Sequence, residues 1–150
     1  MTEFAAVILV DRRGWVLLQE RDEHPRIAPE KWSFCGGHLE PGEDPLTGAA
    51  RELEEETEIR VSPTDLHLVA VHDVHHPETG TDDKLHLYAA GVDLTDADVV
   101  CHEGRQIVFV DPAKAPDLDL SDSARIGLGQ FLGSRQHEAL SESAPLRMET

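Results

Sequence analysis

The stretch Gly36 to Ile59, G-G-H-L-E-P-G-E-D-P-L-T-G-A-A-R-E-L-E-E-E-T-E-I, constrains this chain most, because a turn-forming loop runs into a helix crowded with carboxylates. Gly36, Gly37, Pro41 and Gly42 read as the loop. Asp44 is the natural N-cap, and Pro45 fits the first helical position, where its missing N–H is not needed. At helical spacing Leu46, Ala49, Ala50, Leu53 and Thr57 share the side to be buried. Glu52, Glu55 and Glu56 gather on another side, with Gly48 one turn earlier. Like charges so placed cost an isolated helix about 0.2–0.5 kcal/mol per pair. Either the face is simply solvated or a hard divalent cation, which prefers oxygen ligands, offsets the repulsion.

The spacing favours the cation. Five residues separate Gly37 from Glu43, seven more precede Arg51-Glu52-Leu53, and Glu55-Glu56 and Ile59 follow. This resembles the Nudix box of MutT-like hydrolases, G-x5-E-x7-R-E-U-x-E-E-x-G-U with U apolar. Eight of nine defined positions agree over 23 residues. The departure is Glu58, where the pattern has Gly. A Gly there ends the helix in a left-handed conformation, and a Glu with positive φ costs on the order of 1 kcal/mol. The helix is therefore expected either to pay that cost or to end differently.

The resemblance implies a Nudix-type α/β/α sandwich with a mixed β-sheet between helices. It implies Mg²⁺, or Mn²⁺, held by Glu52, Glu55 and Glu56 with the Gly37 carbonyl. Glu55 or Glu56 would bind metal and orient the attacking water. Glu103, a few residues before a late strand, matches a further ligand or rival base. Arg51 and Glu43 would support the ligand geometry. Arg21, which closes Leu17–Arg21, matches a phosphate-meeting basic residue, and Gly36 and His38 border the same substrate position. The implied reaction is hydrolysis of the diphosphate bond of a nucleoside di- or triphosphate, or of a nucleoside diphosphate linked to a group X, releasing a nucleoside monophosphate. The alternatives are a prenyl or sugar diphosphate substrate, or a catalytically silent nucleotide-binding sensor domain.

Net charge bears on partners. Thirty acidic residues against thirteen basic ones give −17, which argues against nucleic acid or an anionic membrane as partner. It also repels a small phosphorylated substrate, so metal and a few placed arginines must reverse the field locally. Two cysteines, Cys35 and Cys101, make no disulfide framework, and a reducing cytoplasm is the expectation. The start, Met1-Thr2-Glu3, lacks the basic region of a signal peptide, and Phe4–Val10 is too short to span a membrane. A monomer or homodimer is expected.

Along the chain, Phe4–Val10 and Trp15–Gln19 read as an opening hairpin. Trp32–Phe34 is a short strand, with Trp32 assigned to the core. Leu66–Val74 and Leu85–Val92 read as two strands joined by the loop Pro77–Asp83, and Ile107–Val110 as a late strand. His72, His75 and His76, with His86, invite a zinc site but lack clean ligand spacing. Ser121 or Asp122 caps a last helix to about Leu132, with Ala124, Leu128 and Phe131 inward and Gly127 and Gly129 weakening it. One domain over 1–133 is expected, followed by a polar, loosely ordered tail over 134–150 in which Leu140 and Leu146 dock locally. Seven aromatic residues leave few stacking partners for a base.

Overall fold

The computed structural model describes residues 2–24 and 29–142. A seven-stranded mixed sheet lies between helices on both faces. Its centre is β1 (Thr2–Val10), whose residues Ala5 to Val10 are all at most 5% exposed. An uninterrupted apolar run is what a strand covered on both faces requires. β1 runs parallel to β6 (Thr81–Gly91) over nine paired positions, and β5 (His67–His76) pairs antiparallel with β6 at the sheet edge. On the other side, β2 (Val16–Glu20) pairs with β3 (Trp32–Ser33) and β7 (Gln106–Val110).

The opening hairpin pairs at Val10 and Val16 alone, then splays. The vacated edge of β1, Phe4 to Val7, is taken by β4 (Cys35–His38). Gly36 and Gly37 therefore lie in a strand and not in the expected loop. A Cβ on Gly36 would run into the Ala5 carbonyl, so only glycine lets the two backbones approach here.

Alternation along β1 sorts the core into two layers. Ala5, Val7 and Leu9 face Ala49 and Leu53 of α1 (Pro45–Thr57). Ala6, Ile8 and Val10 face Ala124, Leu128 and Phe131 of α2 (Asp122–Phe131). The chain thus has the expected α/β/α sandwich. Both N-caps are as read: Asp44 accepts the Thr47 N–H at 3.4 Å, and Ser121 Oγ accepts that of Ala124 at 3.2 Å.

Three further expectations are corrected. Pairing in the β5–β6 hairpin continues to His76 and Thr81, so the expected loop Pro77–Asp83 shrinks to a tight turn. Gly127 is a packing requirement rather than a weakness: a Cβ there would stand 2.8 Å from Leu87 Cδ2 and from the Phe34 ring. The polar tail forms α3 (Arg135–Glu142), with His137 and Leu140 buried. His137 Nδ1 accepts the Gly133 N–H at 3.0 Å, which leaves Nε2 to donate to the Gly14 carbonyl at 2.7 Å. One imidazole thus anchors a segment whose average polarity hides it. Leu146 lies outside the described residues. Among the described residues no helix is long and apolar enough to cross a membrane.

Candidate active site

The carboxylates of α1 face very different surroundings. Glu55 points outward, its side chain 58% exposed. Glu52 is largely covered and lies beneath β4: a Cβ on Gly37 would sit 2.7 Å from its carboxyl carbon, so this glycine admits the carboxylate. Glu56 is buried, 3% exposed, and its Oε2 accepts the Gly36 N–H at 2.9 Å. Burial pushes the Glu56 carboxyl up to about 10, helped by a hydrogen-bonded Glu103 carboxyl and by the charge of Glu52. Burial also raises Glu52, against the lowering pull of Arg51.

The exit of α1 brings Glu103 in. Glu58 adopts φ 63° and ψ 10°, the left-handed conformation expected of Gly, and its N–H bonds the Glu54 carbonyl at 2.8 Å. The helix pays the strain and stops. Its last carbonyls, Glu56 and Thr57, then accept the N–H groups of His102 (2.9 Å) and Val100 (3.1 Å). His102 Nε2 lies 2.6 Å from Glu58 Oε2. The Glu103 carbonyl accepts from Gln19 Nε2 at 2.7 Å, and Arg105 N–H bonds the Glu20 carbonyl at 2.8 Å. The loop that carries Glu103 is thus fixed by helix capping on one side and by β2 on the other. The capping role of Val100 and His102 left no signal in the sequence, since backbone donors do the work.

Arg51 orders the outer rim. Its Nε and Nη2 donate to Glu43 at 2.7 and 3.0 Å, Nη1 reaches Glu55 and Glu52, each at 3.1 Å, and Nη2 bonds the His38 carbonyl at 3.2 Å. The Arg51 hydrogen bond, with help from the Glu40 N–H, holds Glu43 down to about 2. The same partner raises Arg51 above its ordinary value.

Beside this cluster a cleft of about 510 Å³ opens on the α2 face of the sheet. Arg21, Gly36, Gly37, His38 and Glu103 all border it. Arg21 Nε is buried without an acceptor among the described residues, which suits an anion. His38 tilts over Phe4, ring centroids 4.3 Å apart. Trp32, placed in the core by the sequence, is half-buried at the edge of the α2-side layer.

The zinc reading is not supported. His75 pairs with Asp82, His76 with Asp83 and His86 with Glu3, while His72 Nε2 is buried without a hydrogen-bond partner among the described residues, and no three of these rings bring their nitrogens together. A three-donor group with all ligand atoms within 4.8 Å occurs at Asp22, Glu23 and His24, on the surface. Cys35 is buried, and that burial pushes its thiol well up, as befits a packing residue and not a nucleophile; Cys101 is exposed and free.

Comparison with known proteins agrees with this architecture. Over 56 residues the chain is 43% identical to the m7GpppN-mRNA hydrolase NUDT17 of Bos taurus, a match covering 37% of this chain and 18% of that protein. The chain thus spans only a small part of the length of this curated relative. Among solved structures it resembles the E. coli ORF135 protein (27% identity, TM-score 0.70, 88% and 89% of the two chains covered). It also resembles the MutT NUDIX hydrolase of Burkholderia pseudomallei (22% identity, TM-score 0.74, 86% and 96% covered). A family model of the NUDIX domain matches residues 2–128, so the chain belongs to the Nudix family.

Proposed function

We propose that the chain is a divalent-metal-dependent pyrophosphohydrolase. It cleaves the diphosphate bond of a nucleoside di- or triphosphate, or of a nucleoside diphosphate linked to a group X, and releases a nucleoside monophosphate. The observation that carries this reading is the buried Glu56 carboxyl, hydrogen-bonded to the exposed Glu103 carboxyl at the cleft, beside Glu52 and bordered by Gly36 and Gly37. Two adjacent carboxyls, one of them buried, hold a proton between them unless a cation replaces it. An oxygen-only donor set of this kind fits Mg²⁺ or Mn²⁺. Glu52, Glu55, Glu56 and Glu103, with the Gly37 carbonyl, would hold it. When bound, such an ion neutralises phosphate charge and lowers the pKa of a bound water.

The remaining chemistry belongs to the chain's own groups. Arg21 turns its unpaired Nε toward a phosphate oxygen at the cleft wall. Glu103, Glu56 or Glu55 accepts the proton of the attacking water as its oxygen bonds phosphorus and the bridging oxygen leaves with its electron pair. Arg51 and Glu43 keep Glu52 and Glu55 in place; their contacts are to protein groups, so they act by positioning. Free Cys35 and Cys101 fit a reducing cytoplasm. The cleft suits a small phosphorylated substrate in a monomer or homodimer.

The test is a phosphate-release screen with Mg²⁺ across nucleoside triphosphates, nucleotide sugars, ADP-ribose, dinucleoside polyphosphates and prenyl diphosphates. Turnover of at least one nucleotide that disappears in Glu56→Gln is the expected result. Activity that persists in Glu56→Gln contradicts the site, and silence with nucleotide still binding supports a sensor domain instead.

A further inference from the structure

Far from the acidic helix, the same cleft is bordered by a buried His–Asp pair. His76 Nε2 and Asp83 Oδ2 lie 2.8 Å apart where β5 turns into β6, with side chains 8% and 4% exposed. The contact is too bent for a hydrogen bond, and Asp83 Oδ2 has no donor among the described residues. A buried carboxylate oxygen left without a donor is costly and calls for a partner. Both residues border the cleft, so that partner can come from a ligand.

Strand register places the pair. Alternation puts Asp83, Leu85 and Leu87 on the α2 face of β6, as it does Thr2, Phe4 and Ala6 on β1 and Val74 and His76 on β5. Asp83 stands opposite Thr2, whereas Gly36 stands opposite Ala6. Four residues of strand separate them, roughly 13 Å. The two ends of the cleft also differ in character. One has Arg21, Gly36, Gly37 and Glu103; the other has Asp83 and His76 beside the apolar walls of Phe4, Val74 and Leu85.

We propose that Asp83, backed by His76, is the site that reads the substrate's head group, and that this group is a planar nitrogen heterocycle of the nucleobase kind presenting N–H donors. The proposal takes the position of the diphosphate, beside Arg21 and Gly36, from the hydrolase reading above. A second phosphate at the far end would meet a carboxylate and be repelled. A prenyl chain would seal Asp83 from water without giving it a donor. A free sugar would lose hydration against Phe4, Val74 and Leu85. A heterocycle lays its faces on those walls and turns its amino or imino edge to Asp83. A site built around a hydrogen-bond acceptor rejects analogues that lack the donor far more strongly than an apolar pocket rejects a small change in size.

The test is calorimetric titration, without metal, of GMP, AMP, CMP and UMP into the wild type, Asp83→Asn and His76→Gln. Ribose 5-phosphate is the base-free probe. At least one of the four nucleotides, each of which carries an amino or imino N–H, should bind the wild type about tenfold or more tighter than ribose 5-phosphate, and Asp83→Asn should remove that preference. Should Asp83→Asn fail to fold, His76→Gln reads the same preference and should reduce it several-fold. The proposal is overturned if no nucleotide exceeds ribose 5-phosphate in the wild type, or if the folded variants keep the wild-type preference. Monophosphates bind here without metal or turnover, whereas hydrolysis is scored by Glu56→Gln on the substrate panel. Either reading can therefore fail while the other stands.

Discussion

Glu56 stands apart because its surroundings deny it an ordinary ionisation. Its pKa in the metal-free fold, about 10, lies far above that of an unfolded glutamate. For a group raised in this way, the stability it contributes is complete below about pH 4.5 and is lost as pH rises toward 10. Metal-free wild type should therefore melt at progressively lower temperature across that range, while Glu56→Gln, which stays neutral, gives a flatter profile. A parallel fall in both proteins would place the titrating group elsewhere. Glu58 sets a smaller opposition. Its left-handed backbone costs on the order of 1 kcal/mol, and its half-exposed contact with His102 is worth roughly 0–1 kcal/mol. Glu58→Gly should raise the melting temperature by about 1–4 °C. A lower value would mean that the His102 contact outweighs the strain.

At the scale of elements, legibility followed chemistry that is local in the chain. Asp44, Pro45 and the apolar spacing of α1 mark that helix because capping and periodicity are short-range. Ser121, Ala124, Leu128 and Phe131 do the same for α2. Partner choice within the sheet was not legible. Nothing local to Trp15–Gln19 says that β2 leaves β1 for β3 and β7, or that Gly36-Gly37 fills the gap as β4. The Gly127 contact escaped for a similar reason: its neighbours, Phe34 and Leu87, are distant in sequence. Substituting Ala there gains about 1 kcal/mol of helix propensity but overpacks the contact by about 1–3 kcal/mol. Gly127→Ala should lower stability in urea denaturation; a gain would show that α2 shifts freely on the sheet. The site followed the same division. The box named Glu52, Glu55 and Glu56, but that Glu56 is buried and Glu55 exposed depends on β4 and on the loop carrying Glu103. Asp83 and His76 could not be singled out as a pair before the long β5–β6 register was known.

Across the whole molecule, a net charge of −17 works against compaction and against an anionic substrate alike. Most of that charge is on the surface, where salt screens it within about 10 Å at 0.1 M. Sodium chloride should therefore raise the melting temperature over the first few hundred millimolar, and a neutral osmolyte at equal osmolality should not reproduce the initial slope. Salt-independent melting would show that the acidic surface is already locally compensated. Among the described residues Arg21 lines the cleft and Arg51 stands beside Glu52, so on the proposed reading most of the field reversal a polyphosphate needs would fall to a metal held by Glu52, Glu56 and Glu103.

The most direct measurement is therefore calorimetric titration of Mg²⁺ into the metal-free protein near pH 7.5, repeated in two buffers of different ionisation enthalpy, with Glu56→Gln beside it. A carboxyl held neutral by burial must give up its proton to bind a cation, so the wild type should release close to one proton per site, and its affinity should rise with pH. Glu56→Gln should bind far more weakly and release none. Binding of equal strength in both proteins, with no buffer dependence, would contradict the account.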